Sequence, residues 1–255
     1  MSAATQDSPQ VLALMTSYPR KRPSMSEAVA RLYEQQYLSN RKGNSLGATL
    51  SSWAESWMHR QVASDLIGMH PFIRVLEIGA GNLNHLSYEP SVEHYEVVEP
   101  FEALFQSSVH QNRLAARYRD LSELPMQSRF DRIISIAAFE HLTDLPWSVA
   151  RCALALNAKG SLRVAVPSEG GWLWWLGWRL TTGFEFALKY GLDYGEIMRH
   201  EHLSSVIEIE AILRYFFKSV AVKRLGFGVH ASLYTFFCCA YPDTERSLRY
   251  IENRA

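Results

Sequence analysis

The chain has 255 residues, 47% of them apolar and 20% charged, a globular composition long enough to bury a sizeable core in one large domain. Its 26 basic and 26 acidic side chains cancel, which argues against a nucleic-acid partner, since proteins that bind phosphate backbones carry a basic excess. The three cysteines, Cys152, Cys238 and Cys239, have neither metal-ligand nor disulfide spacing, so a reducing, cytoplasmic setting is expected.

Residues 1–10 are polar and lack a charged start before an apolar core, so no secretory signal is expected. No apolar run reaches the roughly 20 residues of a spanning helix. Residues 1–23 read as a flexible tail broken by Pro9, Pro19 and Pro23, with Arg20, Lys21 and Arg22 as a solvated basic stretch. Ser24 and Glu27 stand at capping-box spacing, and so do Ser52 and Glu55. Apolar residues follow each pair at helical spacing: Val29, Leu32 and Tyr33, then Trp53, Trp57, Met58, Val62, Leu66 and Ile67. Residues 24–70 therefore read as an N-terminal helical cap, with a polar turn at 41–47.

Beyond residue 72 the pattern changes. Strand character marks 73–78, 95–98, more weakly 115–119, then 133–136, 162–166, 220–225 and 233–240. Helical patterns at 101–112, 146–156 and 205–217 separate most of them. Strand–helix alternation predicts an α/β, doubly wound, mostly parallel seven-stranded sheet. The short loop at 226–231 predicts an antiparallel pair at its edge. This domain spans 71–242, carries an aromatic insertion at 168–203, and leaves 243–255 as a C-terminal tail.

The segment from Val75 to Asn82 is the most informative: an apolar strand carrying Glu77 runs into Gly79, Ala80 and Gly81. Glycines there let the chain turn sharply and lie close to a ligand. Glu99 ends the next strand about 20 residues on, where an acid can bond a ribose diol. The Rossmann dehydrogenase fingerprint is absent, because position 84 is Asn84.

These residues resemble the motifs of class I S-adenosylmethionine-dependent methyltransferases. The E-x-G-x-G motif stands as Glu77, Gly79 and Gly81. An acid before a leucine stands as Asp120-Leu121. The fourth strand begins Phe130-Asp131 and is followed by Glu140-His141-Leu142, then Lys159-Gly160 and a strand ending at Pro167. The resemblance implies S-adenosylmethionine as cofactor. Glu77 would lie near its methionine amino group, Glu99 at its ribose and Asp120 near its adenine. Gly79, Ala80, Gly81, Pro100, Leu121, Ala137 and Phe139 would line it. One departure is Leu83, where the family often has glycine.

An oxygen acceptor calls for a base, and histidine suits that role at neutral pH. His141, just after the fourth strand, is the leading candidate, with helix capping as its structural alternative. His202 is the second, in the cluster Arg199-His200-Glu201-His202. Two histidines without a clear third ligand give no metal expectation. The insertion holds Trp172, Trp174, Trp175 and Trp178. It reads either as a lid or as a peripheral membrane contact through 170–190. The layout also resembles methyltransferases of bacterial surface-polysaccharide clusters, on an N-R-x-G turn at 40–43, the stretch Glu55–His59 and the loop from Pro167 to Gly170. That resemblance implies a sugar hydroxyl of a nucleotide- or lipid-linked glycan as acceptor. The alternatives are a lipid or other hydrophobic small molecule, and a non-catalytic, cofactor-binding partner protein.

Overall fold

The structure, a computed structural model, describes residues 7–40, 48–66, 73–106 and 108–254. The turns expected at 41–47 and 40–43 therefore lie, wholly or almost wholly, outside the described residues, as do Ile67 and the start of the domain at 71–72. Seven strands form one sheet: β1 (Arg74–Ile78), β2 (His94–Val98), β3 (Leu114–Tyr118), β4 (Phe130–Ile136), β5 (Leu156–Pro167), β6 (Phe217–Phe227) and β7 (Ala231–Pro242). Their order is β3-β2-β1-β4-β5-β7-β6. The first five pair in parallel, while β7 runs antiparallel to both β5 and β6. Every expected strand is present, and the 226–231 loop makes the edge hairpin.

Nine α-helices accompany the sheet among the described residues: α1 (Pro9–Thr16), α2 (Glu27–Asn40), α3 (Ala48–Ala63), α4 (Leu145–Ala155), α5 (Trp172–Trp178), α6 (Phe184–Tyr190), α7 (Tyr194–Glu201), α8 (Val206–Phe216) and α9 (Thr244–Glu252). Both sheet faces are covered, which is why the central strands read as near-continuous apolar runs. Along β1, Leu76 and Ile78 join one core cluster, which includes residues of α1, α4 and α8. Val75 joins another, with Met58 and Val62 of α3. A third, small cluster joins Val29 of α2 to Phe186 of α6 and Ile197 of α7. The residues expected to form one cap thus divide: α2 packs on the insertion and α3 on the sheet.

Two buried arginines fix α3. Arg132 of β4 donates to the Val62 carbonyl, and Arg163 of β5 donates to the carbonyls of Val62 and Gln61. These are last-turn carbonyls without helical partners, and the cations also meet the negative end of the helix dipole. Arg132 is further paired with Glu89 at 2.9 Å and with Asp65 at 3.1 Å.

Four sequence expectations need correction. The stretch 101–112 is not one α-helix. It makes short 3₁₀ turns at Glu102–Leu104 and Gln111–Arg113, because among its described residues only Leu104 and Phe105 are buried and serines favour turns. The expected N-terminal tail contains α1, which Pro9 opens rather than breaks, with Ser8 as its cap. Its Val11 and Met15, and Tyr18 after it, are buried in the main core. The C-terminal tail contains α9, capped by Asp243. Neither N-terminal capping box starts a helix at its serine, since α2 begins at Glu27 and α3 at Ala48; the capping box observed is Ser205 with Glu208, opening α8.

Candidate active site

The chain leaves β1 outward to β2 and β3, then returns to place β4 on the other side of β1. The carboxyl ends of β1 and β4 therefore diverge into loops on opposite sides, the crevice where open α/β sheets bind ligands. Gly79 and Gly81 turn there at φ +74° and +52°, a region glycine enters without strain. Gly79 N–H donates to the Val98 carbonyl at 2.8 Å. The Glu99 carboxylate holds the turn in place, accepting from Gly81 N–H at 2.9 Å and from Phe101 N–H at 3.0 Å. Glu77 is buried and accepts from the Tyr95 hydroxyl at 2.8 Å. Burial pushes its carboxyl well above the usual carboxylate range.

A cavity of 580 Å³ opens at this switch point. The structure brings Glu77, Gly79, Ala80, Gly81, Ala137, His141 and His202 together in its wall. Ala137 takes φ +50° there, a strained position for a residue with a Cβ. Glu99 faces a second cavity of 230 Å³, shared with Phe105, Tyr118 and Arg119, and Pro100 beside it is exposed. Four expected cofactor residues, Pro100, Asp120, Leu121 and Phe139, line neither cavity. Asp120 caps the turn Leu121–Glu123 by accepting from Ser122 N–H at 2.8 Å, while Leu121 and Phe139 are core residues. Leu83, the departure from the family pattern, is buried at φ 64°. It takes the left-handed turn that a glycine would take without strain.

The two candidate histidines meet. Their ring centroids are 4.9 Å apart in an edge-to-face arrangement. His141 Nδ1 lies 2.8 Å from the Glu201 carbonyl oxygen and 3.2 Å from its carboxylate. His202 Nδ1 lies 2.9 Å from the Glu169 carboxylate. Burial opposes the His141 charge, but Glu140 and Glu201 more than offset it and lift its pKa above the usual histidine value. Burial likewise opposes the Glu201 charge, yet its bonds to His141 and Tyr33 pull its pKa down to about 2. His200, expected to cluster with His202, instead bonds the Pro23 carbonyl at 2.7 Å.

Sequence reasoning missed the acids that hold these rings. Glu140 stands beside His141 and Glu201 beside His202 in the sequence, but adjacency does not show that Glu201 pairs with His141, and Glu169 reaches His202 from elsewhere in the chain. It also missed the aromatic wall. Trp174 and Trp178 of the insertion line the cavity with Tyr194 and Tyr234. Trp174 Nε1–H donates to Glu169 at 2.6 Å.

Neither a family model nor a curated protein matches the sequence. Solved structures do match in fold. The plantazolicin methyltransferase BpumL, solved with a monoazolic desmethylPZN analog and SAH, is 13% identical; the match covers 91% of this chain and 98% of that one, with a TM-score of 0.55. A Burkholderia thailandensis 1,6-didemethyltoxoflavin-N1-methyltransferase with bound S-adenosylhomocysteine is 16% identical, covering 88% and 94%, also at 0.55. The CurJ carbon methyltransferase is 20% identical at 0.51, and this chain spans 73% of its own length but only 54% of that protein's. The chain has the class I methyltransferase fold: a seven-stranded mixed sheet, its last strands antiparallel, flanked by helices.

Proposed function

We propose that the protein is an S-adenosylmethionine-dependent methyltransferase acting on a small-molecule acceptor. The observation that carries this reading is the placement of the Glu77–Gly81 turn and the His141–His202 pair in one cavity at the switch point. The turn suits the cofactor, and the histidines suit a hydroxyl that must lose a proton as it attacks the sulfonium methyl. Methyl transfer from an activated sulfonium needs mainly alignment and exclusion of water, and a cavity with tryptophan and tyrosine walls provides both. Glu99 accepts one backbone N–H on each oxygen, which holds the glycine turn and leaves further lone pairs for the ribose hydroxyls.

The acceptor we favour is a sugar hydroxyl of a nucleotide- or lipid-linked glycan. Flat aromatic faces beside carboxylates and imidazoles suit a ring that is apolar on one side and bears hydroxyls. A hydrophobic acceptor, or contact with a lipid surface, is supported by a different observation: Trp172, Trp175, Leu180, Phe184 and Leu188 of the insertion are exposed. No described helix is long and apolar enough to cross a membrane.

Calorimetry tests the cofactor directly. Adenosylmethionine and adenosylhomocysteine should each bind one site and raise Tm by preferring the native state, while nicotinamide dinucleotides should not. Absence of heat at millimolar ligand would overturn the reading. Labelled cofactor added with purified protein to a cell extract then identifies the acceptor. Cofactor binding with no methylated product would instead favour a non-catalytic partner protein.

A further inference from the structure

We propose that Glu140, His141 and His202 form a binding site for a divalent first-row transition-metal ion in the wall of the acceptor cavity. One donor atom of each residue lies within 4.8 Å of the other two, and all three line the cavity. The edge of a tetrahedral zinc site with nitrogen and oxygen ligands is about 3.3 Å, so a cation need draw the three together by at most about 1.5 Å.

The hydrogen bonds around the histidines set their tautomers. His141 Nδ1 meets only acceptors, the carbonyl and carboxylate of Glu201. His202 Nδ1 meets the Glu169 carboxylate. An Nδ1–H facing these acceptors leaves Nε2 of each ring as the nitrogen open to a cation. Metal-ligating histidines are held in this way, with the second nitrogen donating to a carboxylate or carbonyl.

Glu140 supplies the third ligand. Its side chain is 1% exposed, and Oε2 has no hydrogen-bond partner among the described residues. Oε1 lies 3.8 Å from His141 Nε2. A buried carboxylate oxygen without a donor is costly, and a cation held by this carboxylate and the two imidazoles would offset that cost. The backbone holds the parts together. The Glu140 carbonyl accepts from Leu203 N–H at 2.7 Å and from Ser204 N–H at 3.2 Å, tying the turn after β4 to the segment that carries His202.

Two imidazoles and one carboxylate match the donor set of zinc and of non-haem iron sites that keep open positions. The site deepens the reading of this cavity as an acceptor pocket, and its role rests on that reading. An acceptor hydroxyl bound at an open position would have its pKa lowered by the cation. It would release its proton to solvent. The O–CH3 bond would then form as the CH3–S bond breaks, with the electron pair leaving on sulfur as a neutral thioether. The histidine pair then acts through the cation rather than by taking the proton itself.

The test uses the full chain after treatment with a chelator, titrated with zinc against a chromophoric competitor, and separately with cobalt to read its visible absorption. One equivalent of each metal should bind. Glu140→Gln and His202→Gln should each weaken zinc binding by at least about 10-fold. Glu169→Gln, which acts through His202, should weaken it by roughly 10–100-fold. His200→Gln should leave it unchanged. Circular dichroism confirms that each variant is folded; if His202→Gln is not, the nearly isosteric Glu140→Gln carries the test. Binding well below one equivalent, or unchanged affinity in folded Glu140→Gln, overturns the site. Adenosylmethionine titrated into the metal-free protein separates the two proposals. Heat from the cofactor without zinc binding removes only the metal, and zinc binding without that heat removes only the methyltransferase reading.

Discussion

Gly79 and Gly81 flank Ala80 with the same left-handed backbone, yet they answer to different constraints. A Cβ at Gly79 would sit 2.4 Å from the Ala138 Cβ, whereas one at Gly81 meets nothing within 4 Å. Gly79 is thus required by packing between the loops after β1 and β4. Gly81 is required by backbone conformation and by whatever approaches it from the cavity. Gly79→Ala should cost more than the roughly 1–2 kcal/mol of a left-handed alanine and should disturb cofactor binding and Tm together. Gly81→Ala should cost about that amount in stability while weakening adenosylmethionine binding. Thermal melts with and without the cofactor separate the two, and equal effects from both variants would reject the distinction. These glycines were legible in the E-x-G-x-G pattern. The strained Ala137 was not, because its backbone is imposed by β4 and by its N–H bond to the Ala165 carbonyl, a long-range contact with no local signature.

The insertion resolves into α5, a π-helical turn at Arg179–Gly183 and α6, and its tryptophans divide between two surroundings. Trp174 and Trp178 line the cavity, while Trp172 and Trp175, three residues apart on one helix face, are 57% and 49% exposed. The lid and the membrane contact, set against each other by sequence, can thus be two faces of one element. If the outer face meets lipid, the protein should co-sediment with neutral phosphatidylcholine vesicles. Binding should depend weakly on salt, because Arg179 and Lys189 are the only cations of α5, the π turn and α6. Trp172→Ala/Trp175→Ala should abolish it and Trp174→Ala should not. Wild-type protein that stays in the supernatant at every salt concentration rejects the contact. Element by element, strands were the most legible, since a sheet covered on both faces writes itself as apolar runs. The short turns at 84–88 and 102–104 were less so. The anchoring of α3 was invisible, because it depends on Arg132 and Arg163, cations buried inside strands that otherwise read as apolar.

At the scale of the whole molecule, the two chain ends buttress the site from behind. Residues 9–22 cross the face of the sheet that carries α4 and α8, and Arg22 donates to the His141 carbonyl at 3.1 Å and to the His200 carbonyl at 2.9 Å. Arg254, just past α9, pairs with Asp144, the cap of α4. The clearest clasp is Arg20, which donates to the Leu203 carbonyl and to both oxygens of Glu208. It joins the N-terminal segment to the capping box of α8, one residue away from Ser204. Burial alone would raise the Glu208 pKa, but Arg20 and the Ser205 donors overcome it and hold the carboxyl below its usual value of 4.5. Its folded pKa is depressed, so its contribution is fully present above about pH 4.5 and is lost as pH falls through the lower, folded value. Arg20 stays charged throughout. The pair is partly exposed, so solvent screening limits it to about 1 kcal/mol, or about 2–4 °C in Tm for a chain of this size. Arg20→Gln should therefore lower Tm by about that much at pH 7. Wild type and variant should converge as the pH is brought well below 4, where Glu208 is protonated in both. Melting curves across that range check the sign, since a gap that persists or widens in acid would mean that Arg20 acts through Leu203 and not through Glu208.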